Sequence, residues 1–255
     1  MNKPWLIGET NWKTVKETGY QIVVLPWGAT EAHNYHLPFA TDNLQNEYVA
    51  DKAAEIAWNH QVKVAVLPNI PYGVNTGQTD LKLTISMNPS TQFMVLKDIA
   101  GTIYHQGFRK MVILNGHGGN DFRQMIRELQ PLFPDLALYQ VNWYLAVPWK
   151  DYFEDTGEHA GESETSAMMV IRPDLVAPVE TAGEGKNKKL IFKGRQEGWL
   201  WAPRPWSIVT SDTGIGNPQQ SNSQKGQQYL DDCIGKIADF FVELARVKEI
   251  NEMYR

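Results

Sequence analysis

Residues 21–43, QIVVLPWGATEAHNYHLPFATDN, contain a short apolar run, a polar loop and the start of a helical pattern. The run QIVVL is rich in β-branched residues and predicts a strand over residues 21–25. A proline and a glycine close it. Apolar and small side chains then recur at helical spacing, which predicts a helix over residues 43–58 with Asp42 at its N-cap.

This alternation of strand and helix continues along the chain. Apolar runs predict strands at residues 62–67, 110–114 and 137–141, and helical periodicity predicts helices at residues 90–107, 120–132, 164–171 and 223–248. The pattern predicts an α/β fold with a mostly parallel sheet covered on both faces. No linker is evident, so residues 1–255 are predicted to form a single domain. Residues 181–220, rich in Gly, Lys, Pro and Trp, are expected to be a long irregular excursion, either a lid or a subunit contact.

The bulk composition argues against several classes of partner. The chain has 255 residues, of which 42% are hydrophobic and 21% charged, and its formal net charge is −5. This acidic balance argues against nucleic acid and anionic membranes as partners, and no apolar run is long enough to span a bilayer. The first residues lack the apolar core of a signal peptide. Because the only cysteine is Cys233, no internal disulfide can form, and a cytoplasmic location is expected.

The loop after the first predicted strand carries Glu31, His33, His36 and Asp42. In extended backbone, residues two apart point the same way, so Glu31 and His33 would face one point and suit zinc or manganese. Asp42, at the start of the next helix, is within reach of that point. The alternative is a solvated loop in which Asp42 only caps the helix. For His36, a buried and hydrogen-bonded histidine is favoured over a ligand.

A second polar cluster, NGHGGND, occupies residues 115–121, directly after the strand predicted at 110–114. Both clusters follow strands and precede helices, so they share the edge of the sheet at which ligands bind. Glycines around His117 allow the backbone to approach a ligand closely. Neither a G-x-G-x-x-G pattern nor a Lys-Ser/Thr ending is present. A metal ligand or a general base is therefore favoured over a phosphate-binding loop.

A third cluster, GEHAGESETS at residues 157–166, places Glu158, His159, Glu162 and Glu164 close together at a helix start. Acids there also stabilise the helix dipole, which is the alternative for Glu162 and Glu164. Like charges this close repel each other, and a divalent cation would relieve the repulsion. The three clusters hold more histidines and carboxylates than one metal needs, and they predict a two-metal hydrolytic centre. No G-x-S-x-G nucleophile elbow occurs.

With these clusters, the chain resembles the creatininase (creatinine amidohydrolase) family through GATEAHNYHLPFATDN, NGHGGN and HAGESETSAMM, in the family's order. The resemblance implies a three-layer α/β/α sandwich and two divalent metal ions per chain, one zinc and the second zinc, manganese or iron. It implies a homo-oligomer, commonly a hexamer. The reaction it implies is hydrolysis of a non-peptide or cyclic amide C–N bond of a small molecule by a metal-bridging hydroxide.

The resemblance also implies a set of metal ligands. Glu31 and His33 would bind different metals, Asp42 would bridge both, and His117 would share the metal of Glu31. Creatininase proper has N-G-H-Y-E-N in the second motif, and its Glu is a ligand. Position 119 is glycine in this chain, and glycine offers no ligand atom.

The remaining ligand is therefore sought in the third motif. Creatininase proper has an apolar residue where this chain has Glu162, so Glu162 is predicted to take the vacant place on the metal of His33. Both versions have Glu at position 164, and Glu164 is predicted to orient a ligand. His159 resembles the family's proton donor to the leaving nitrogen, helped by Glu158.

The substrate pocket is predicted to include Trp143, which resembles a gating Trp, together with Gly118 and Tyr35. Many family members carry H-G-P-H where this chain has His33-Asn34-Tyr35-His36. Many also have H-x-x-F-P-G-T in the region that here reads NTGQTDLKLTISM. These departures argue against creatinine as the substrate. The alternatives are a formylamino-pyrimidine nucleotide deformylase, a peptide-processing member of the family, and, in a different class, a non-catalytic binding relative.

Overall fold

A computed structural model describes residues 3–155, 157–248 and 250–254. Four strands form one sheet, namely β1 (Ile22–Trp27), β2 (Val64–Val66), β3 (Lys110–Asn115) and β4 (Ala137–Asn142). Their order is β2-β1-β3-β4, and all neighbouring pairs are parallel. The predicted parallel sheet is confirmed, although β2 is shorter than expected.

The described residues contain eight α-helices, which are, in chain order, α1 (Trp12–Glu17), α2 (Thr41–Asn59), α3 (Pro89–His105), α4 (Arg123–Leu129), α5 (Glu162–Ile171), α6 (Lys193–Gln196), α7 (Trp206–Val209) and α8 (Ser223–Arg246). Helix α1 and the single turns α6 and α7 were not predicted. The expected cap of α2 is also wrong, because Ala40 is the N-cap and Asp42 lies inside the first turn.

Among the described residues, no helix combines the length and apolarity needed to cross a membrane.

The side chains of β1 alternate between two apolar cores, as the two-residue period of a strand requires. Ile22 and Val24 pack with residues of α2 and α8 on one face of the sheet. Val23 and Leu25 pack with residues of α3 and α4 on the other. The fold is therefore a three-layer α/β/α sandwich, as the family resemblance implied.

The carboxyl ends of three strands are level with one another. Trp27 at the end of β1 pairs with Asn115 at the end of β3, and Asn115 pairs with Asn142 at the end of β4. The loops that follow these strands consequently leave from one edge of the sheet. All three predicted clusters lie at this edge or are packed against it.

The excursion of residues 181–220 is irregular, as predicted, but it is well connected. The buried Asp212 carboxylate accepts hydrogen bonds from the backbone of Gly185 and Gly214. Asn34 and Gly183 exchange two hydrogen bonds, which tie the excursion to the loop after β1. The segment therefore lies against the first polar cluster.

Candidate metal centre

The loop after β1 buries two of its polar side chains completely. Glu31 is 2% exposed and His33 is 0% exposed. The loop folds back on itself through backbone hydrogen bonds from Glu31 to the Phe39 carbonyl and from Leu37 to the His33 carbonyl. This compact turn aims both side chains inward, towards the start of α2.

Asp42 lies in the first turn of α2, where the positive end of the helix dipole stabilises a carboxylate. Its Oδ1 lies 3.0 Å from Nε2 of His33 and its Oδ2 lies 2.9 Å from Nδ1 of His117. The two oxygens of one buried carboxylate therefore face two different histidines, as a bridging ligand would.

His117 is held by the amides of its own loop. The Asn115 side chain donates to the His117 carbonyl and accepts from the His117 amide. The Asn120 side chain donates to the Asn115 side chain and supports it from behind. This network aims His117 Nδ1 at Glu31, with 2.9 Å between Nδ1 and Oε1.

In His33 and His117, the ring nitrogen that points away from Asp42 contacts a backbone carbonyl. Nδ1 of His33 lies 3.1 Å from the Glu31 carbonyl, and Nε2 of His117 lies 3.1 Å from the Val74 carbonyl. Because a carbonyl oxygen can only accept, these two nitrogens carry the hydrogens. In the neutral rings, the other nitrogens, Nε2 of His33 and Nδ1 of His117, then present lone pairs to the carboxylates. Lone pairs that face carboxylates require a cation between them. Oδ2 of Asp42 is buried and makes no aligned hydrogen bond within the described part of the chain, which also fits a metal ligand.

Without a metal, protons take the place of that cation. Burial opposes protonation of His33, but the Asp42, Glu164 and Glu31 carboxylates outweigh it and raise its pKa to about 10. Burial likewise opposes protonation of His117, and Glu31 and Asp42 raise its pKa well above the usual value. The pKa of Asp42 is lowered because the two histidines outweigh the effect of its burial. The cluster therefore stabilises positive charge at its centre.

The described side chains offer two three-residue ligand groups that share Asp42. One consists of Glu31, Asp42 and His117, the other of His33, Asp42 and Glu164, and the ligand atoms of each group lie within 4.8 Å of one another. Imidazole and carboxylate donors of this kind suit zinc and manganese. Glu31 and His33 also form a group with His159.

Glu162 lies outside these groups, contrary to the prediction. Its buried carboxylate accepts from Nζ of Lys225 at 2.6 Å and from the backbone amides of Glu154 and Asp155 at 2.9 Å each. Glu164, which was predicted only to orient a ligand, has Oε2 3.9 Å from Nε2 of His33. The geometry thus brings Glu164, and not Glu162, to the position beside His33.

Position 119 has no room for a side chain. A side chain there would collide with the Val74 carbonyl and with the His117 ring, whose hydrogen bond with each other orients that histidine. The absence of a side chain at Gly119 therefore keeps His117 in place.

His159 lies directly over the cluster. Its ring packs against that of His33 with 4.2 Å between centroids and makes a T-shaped contact with the ring of Trp206 at 5.3 Å. Its Nε2 donates to the Ala32 carbonyl at 2.8 Å, which leaves Nδ1 3.8 Å from Oε1 of Glu31. Nδ1 is therefore the atom that can exchange a proton at the centre.

A pocket of about 50 Å³ opens beside Glu164. The predicted substrate contacts Trp143 and Gly118 both line it. Trp143 is 2% exposed, and its indole N–H has no hydrogen-bond partner among the described residues, so it can donate to a bound molecule. Tyr144 and Trp149 complete an aromatic wall.

Comparison with known proteins identifies the family to which this site belongs. The family model for creatininase, described as creatinine amidohydrolase, matches residues 8–241. The chain belongs to the creatininase family. Creatinine amidohydrolase of Pseudomonas putida is 26% identical over 94% of this chain and 96% of its own length. A mycofactocin precursor peptide peptidase of Mycolicibacterium smegmatis is also 26% identical, over 86% of this chain and 83% of its own.

Solved creatininase structures share the fold. A Bacteroides fragilis protein provisionally named a creatinine amidohydrolase is 40% identical, covers 100% of both chains and superimposes with a TM-score of 0.93. A creatininase described with Mn superimposes with a TM-score of 0.80 at 22% identity, covering 95% of this chain and 99% of its own. A creatininase variant of Zn-Zn type gives a TM-score of 0.78 at 22% identity, over 95% and 98% of the two chains.

Two residues predicted from the creatininase motifs have their polar atoms engaged by the excursion. Tyr35 is 65% exposed, and its hydroxyl donates to the Ser211 carbonyl, so it joins the excursion and not the pocket. Glu158 does line the pocket, but its carboxylate accepts a hydrogen bond from the Arg204 guanidinium at 2.6 Å. His36 is buried and pairs with the Thr165 hydroxyl, as the structural alternative predicted.

One residue of this creatininase-family site was missed. The Gln78 side chain is buried, and its amide N–H donates to Oε2 of Glu31 while Oε1 of Glu31 faces His117. Gln78 therefore fixes the orientation of the Glu31 carboxylate, so that only Oε1 faces His117. Its region was noted for departing from the family pattern, but no spacing rule pointed to this side chain.

Proposed function

We propose that this member of the creatininase family is a metal-dependent amidohydrolase that hydrolyses a non-peptide or cyclic amide C–N bond with two divalent ions. The observation that carries the proposal is the Asp42 carboxylate. Each of its oxygens faces a histidine whose other nitrogen is committed to a backbone carbonyl. A bridging carboxylate between two such ligands is the arrangement that a two-metal site needs.

Five residues are proposed to hold the two ions. Glu31 and His117 would bind one, His33 and Glu164 the other, and Asp42 both. The ions would be zinc, with zinc, manganese or iron in the second position, in agreement with the Zn-Zn and Mn names of two related creatininase structures. Such ions supply Lewis-acid activation of water and of an amide carbonyl.

His159 is proposed to move the proton. Because its Nε2 donates to the Ala32 carbonyl, its Nδ1 is the free position, and this atom faces the carboxylate of Glu31. Nδ1 would accept a proton from the attacking water and deliver it to the departing nitrogen. Packing against the His33 and Trp206 rings restrains the imidazole, so little reorientation is needed.

The pocket lining supports a compact polar substrate group. Trp143 supplies an unpaired indole donor, and the aromatic wall of Tyr144 and Trp149 supplies flat apolar contact. Gly118 adds no side chain there and leaves room for the amide. Glu158 and Tyr35 are assigned no chemical role because their polar atoms are engaged by Arg204 and Ser211.

A second candidate is peptide processing. The mycofactocin precursor peptide peptidase and the creatinine amidohydrolase match this chain at the same identity, 26%, over 86% and 94% of its length. A peptidase would need an open path for a chain at the pocket. The pocket beside Glu164, at about 50 Å³, supports a compact amide group at that position.

The proposed homo-oligomer is supported by exposed apolar side chains on the excursion, among them Ile191 at 86%, Trp199 at 73% and Trp201 at 76%. Light scattering of purified protein would test it, and a monomer at micromolar concentration would refute it.

The function is tested by loading the protein with zinc and manganese, measuring bound metal, and screening cyclic amides, lactams, formamides and short peptides for hydrolysis. We expect about two ions per chain and turnover of a small amide but not of peptides. Asp42→Asn should abolish turnover, with Asp121→Asn, a surface residue paired with Arg123, as the matched control. Exclusive cleavage of peptides would favour the second candidate, and no bound metal would refute both.

A further inference from the structure

A second and larger cavity lies beside the pocket at the metal centre. It measures about 700 Å³, and four cationic side chains, those of Lys188, Lys189, Arg195 and Arg204, share it with one carboxylate, that of Glu158. The chain as a whole has a formal net charge of −5. A concave cationic surface on an acidic protein concentrates anions locally.

The cavity adjoins the reaction centre through one residue. Glu158 lines both the pocket that holds Trp143 and Glu164 and the cationic cavity. Its chain neighbour is His159. Arg204 extends the connection, because its guanidinium lies over the ring of Trp206 at 4.9 Å and Trp206 packs against His159. The cavity and the pocket beside Glu164 therefore meet at Glu158.

Most of the positive charge in the cavity is not neutralised by the protein. Arg204 pairs with Glu158 at 2.6 Å and cancels the one acid. Within the described part of the chain, Lys188, Lys189 and Arg195 form no ion pair. Two other lysines of the same excursion differ in this respect, since Lys186 pairs with Glu184 and Lys193 with Glu197, and neither lines the cavity.

The cationic wall is built on ordered backbone. Asn187 forms an antiparallel bridge with Thr210, and the Lys188 amide donates to the Val209 carbonyl at 2.8 Å. The Arg195 amide donates to the Phe192 carbonyl at 3.0 Å. The backbone positions of the cationic residues are thus fixed by hydrogen bonds, which lowers the entropic cost of gathering them around a ligand.

We propose that this cavity binds an anionic group, a carboxylate or a phosphate, on the substrate whose amide lies at the metal centre. This inference rests on the proposed function and names the substrate class, a small amide with a negatively charged end. The cavity volume lies within the range of about 300–1,000 Å³ typical of small-molecule sites. Lysine and arginine together suit either anion, Arg through paired donors and Lys as a point charge.

The test compares two variants of the metal-loaded protein. Lys188→Gln/Lys189→Gln/Arg195→Gln removes the unpaired charges of the cavity. The matched control, Lys186→Gln/Lys193→Gln, removes paired charges of the same excursion. Titration calorimetry with inorganic phosphate and with succinate measures anion binding. Phosphate that binds the metals contributes equally to both variants, so it cancels from the comparison.

We expect the triple variant to weaken binding of one probe at least tenfold and the control to change it less than twofold. The probe that is affected more identifies the anion as phosphate or carboxylate. Hydrolysis of N-formylethanolamine, its O-phosphate and N-formyl-β-alanine supplies a second readout. The preference of kcat/KM for the anionic amide should fall about tenfold in the triple variant and weaken with added salt.

Two results would overturn the inference: wild-type protein that binds neither probe, or triple and control variants with equal affinities. Both readouts separate this failure from a failure of the proposed function. Probe binding that depends on the cavity without turnover of any amide refutes the hydrolase alone. Turnover that does not distinguish neutral from anionic amides refutes the anion site alone.

Discussion

Replacing Glu162 should cost stability, whereas replacing Glu164 should cost metal. Glu162 is fully buried and accepts three hydrogen bonds, one from the Lys225 ammonium at 2.6 Å and two from backbone amides at 2.9 Å. In Glu162→Gln the carboxamide oxygen keeps the amide contacts as weaker neutral bonds, and its NH₂ group faces the ammonium. Because Lys225 is 25% exposed, water recovers part of the lost attraction.

The magnitude follows from these contacts. Hydrogen bonds to a charged group contribute about 1.5–3 kcal/mol each, so weakening three of them with partial recovery costs about 3 kcal/mol. For a chain of 255 residues this corresponds to a fall in Tm of about 6 °C. Metal content should not change.

Glu164→Gln should behave in the opposite way. Its side chain is 24% exposed, and its Oε2 accepts one backbone hydrogen bond, from Ala160 at 2.5 Å, which a carboxamide oxygen can also accept. Burial raises the pKa of Glu164, so in metal-free protein the neutral carboxamide is a close substitute. Loss of a group that merely orients a ligand costs about 10–100-fold in metal affinity. Loss of a direct ligand should exceed that range at one of the two sites.

Scanning calorimetry of metal-free protein and competition with a chelating dye measure the two effects. A Glu162→Gln protein that loses one metal with an unchanged Tm would refute the assignment. So would a Glu164→Gln protein that binds both metals with wild-type affinity.

Three further outcomes are expected. Gln78→Leu removes the hydrogen-bond donor that orients the Glu31 carboxylate, and it should weaken metal binding about tenfold. The same dye competition measures this effect, and an unchanged metal affinity would contradict the orienting role of Gln78. Since the pKa of His33 is about 10 in metal-free protein, a metal ion must displace the proton of His33 in order to bind. The apparent metal affinity should therefore rise about tenfold per pH unit between pH 6 and 8. A metal affinity that does not change with pH would contradict this expectation. Burial, together with the positive charge of His33, lowers the pKa of His36 from 6.5 to about 4. As the pH drops, His36 is therefore protonated in the unfolded chain before it is protonated in the folded protein. The free energy of unfolding should consequently fall between pH 6.5 and pH 4. Chemical denaturation of metal-free His36→Gln should show a shallower fall, and an equally steep one would contradict this account.

The fold was predictable because its signals are local. Continuous apolar runs such as that of β1 mark strands buried on both faces, and the level carboxyl ends of β1 and β3 bring their loops together. The positions of Glu31, His33, Asp42 and His117 in one cluster followed from this edge. The bounds of short β2 and of the single turns in the excursion did not, because tertiary contacts and not periodicity decide them.

The choice between Glu162 and Glu164 was not decidable from sequence. Residues two apart in a helix are turned about 200° from each other, so one of the pair must face away from the centre. Which one does so depends on where α5 begins and on Lys225, a partner on another helix. Gln78 was missed for a similar reason, since its contact with Glu31 joins loops distant in sequence.

The central claim is that Asp42 holds two metal ions side by side, and electron paramagnetic resonance of the manganese-loaded protein tests it most directly. Two ions bridged by one carboxylate are exchange-coupled and give a multiline spectrum of the pair. The account predicts that spectrum at about two manganese ions per chain. The six-line spectrum of isolated manganese at the same loading, or saturation at one ion per chain, would contradict it.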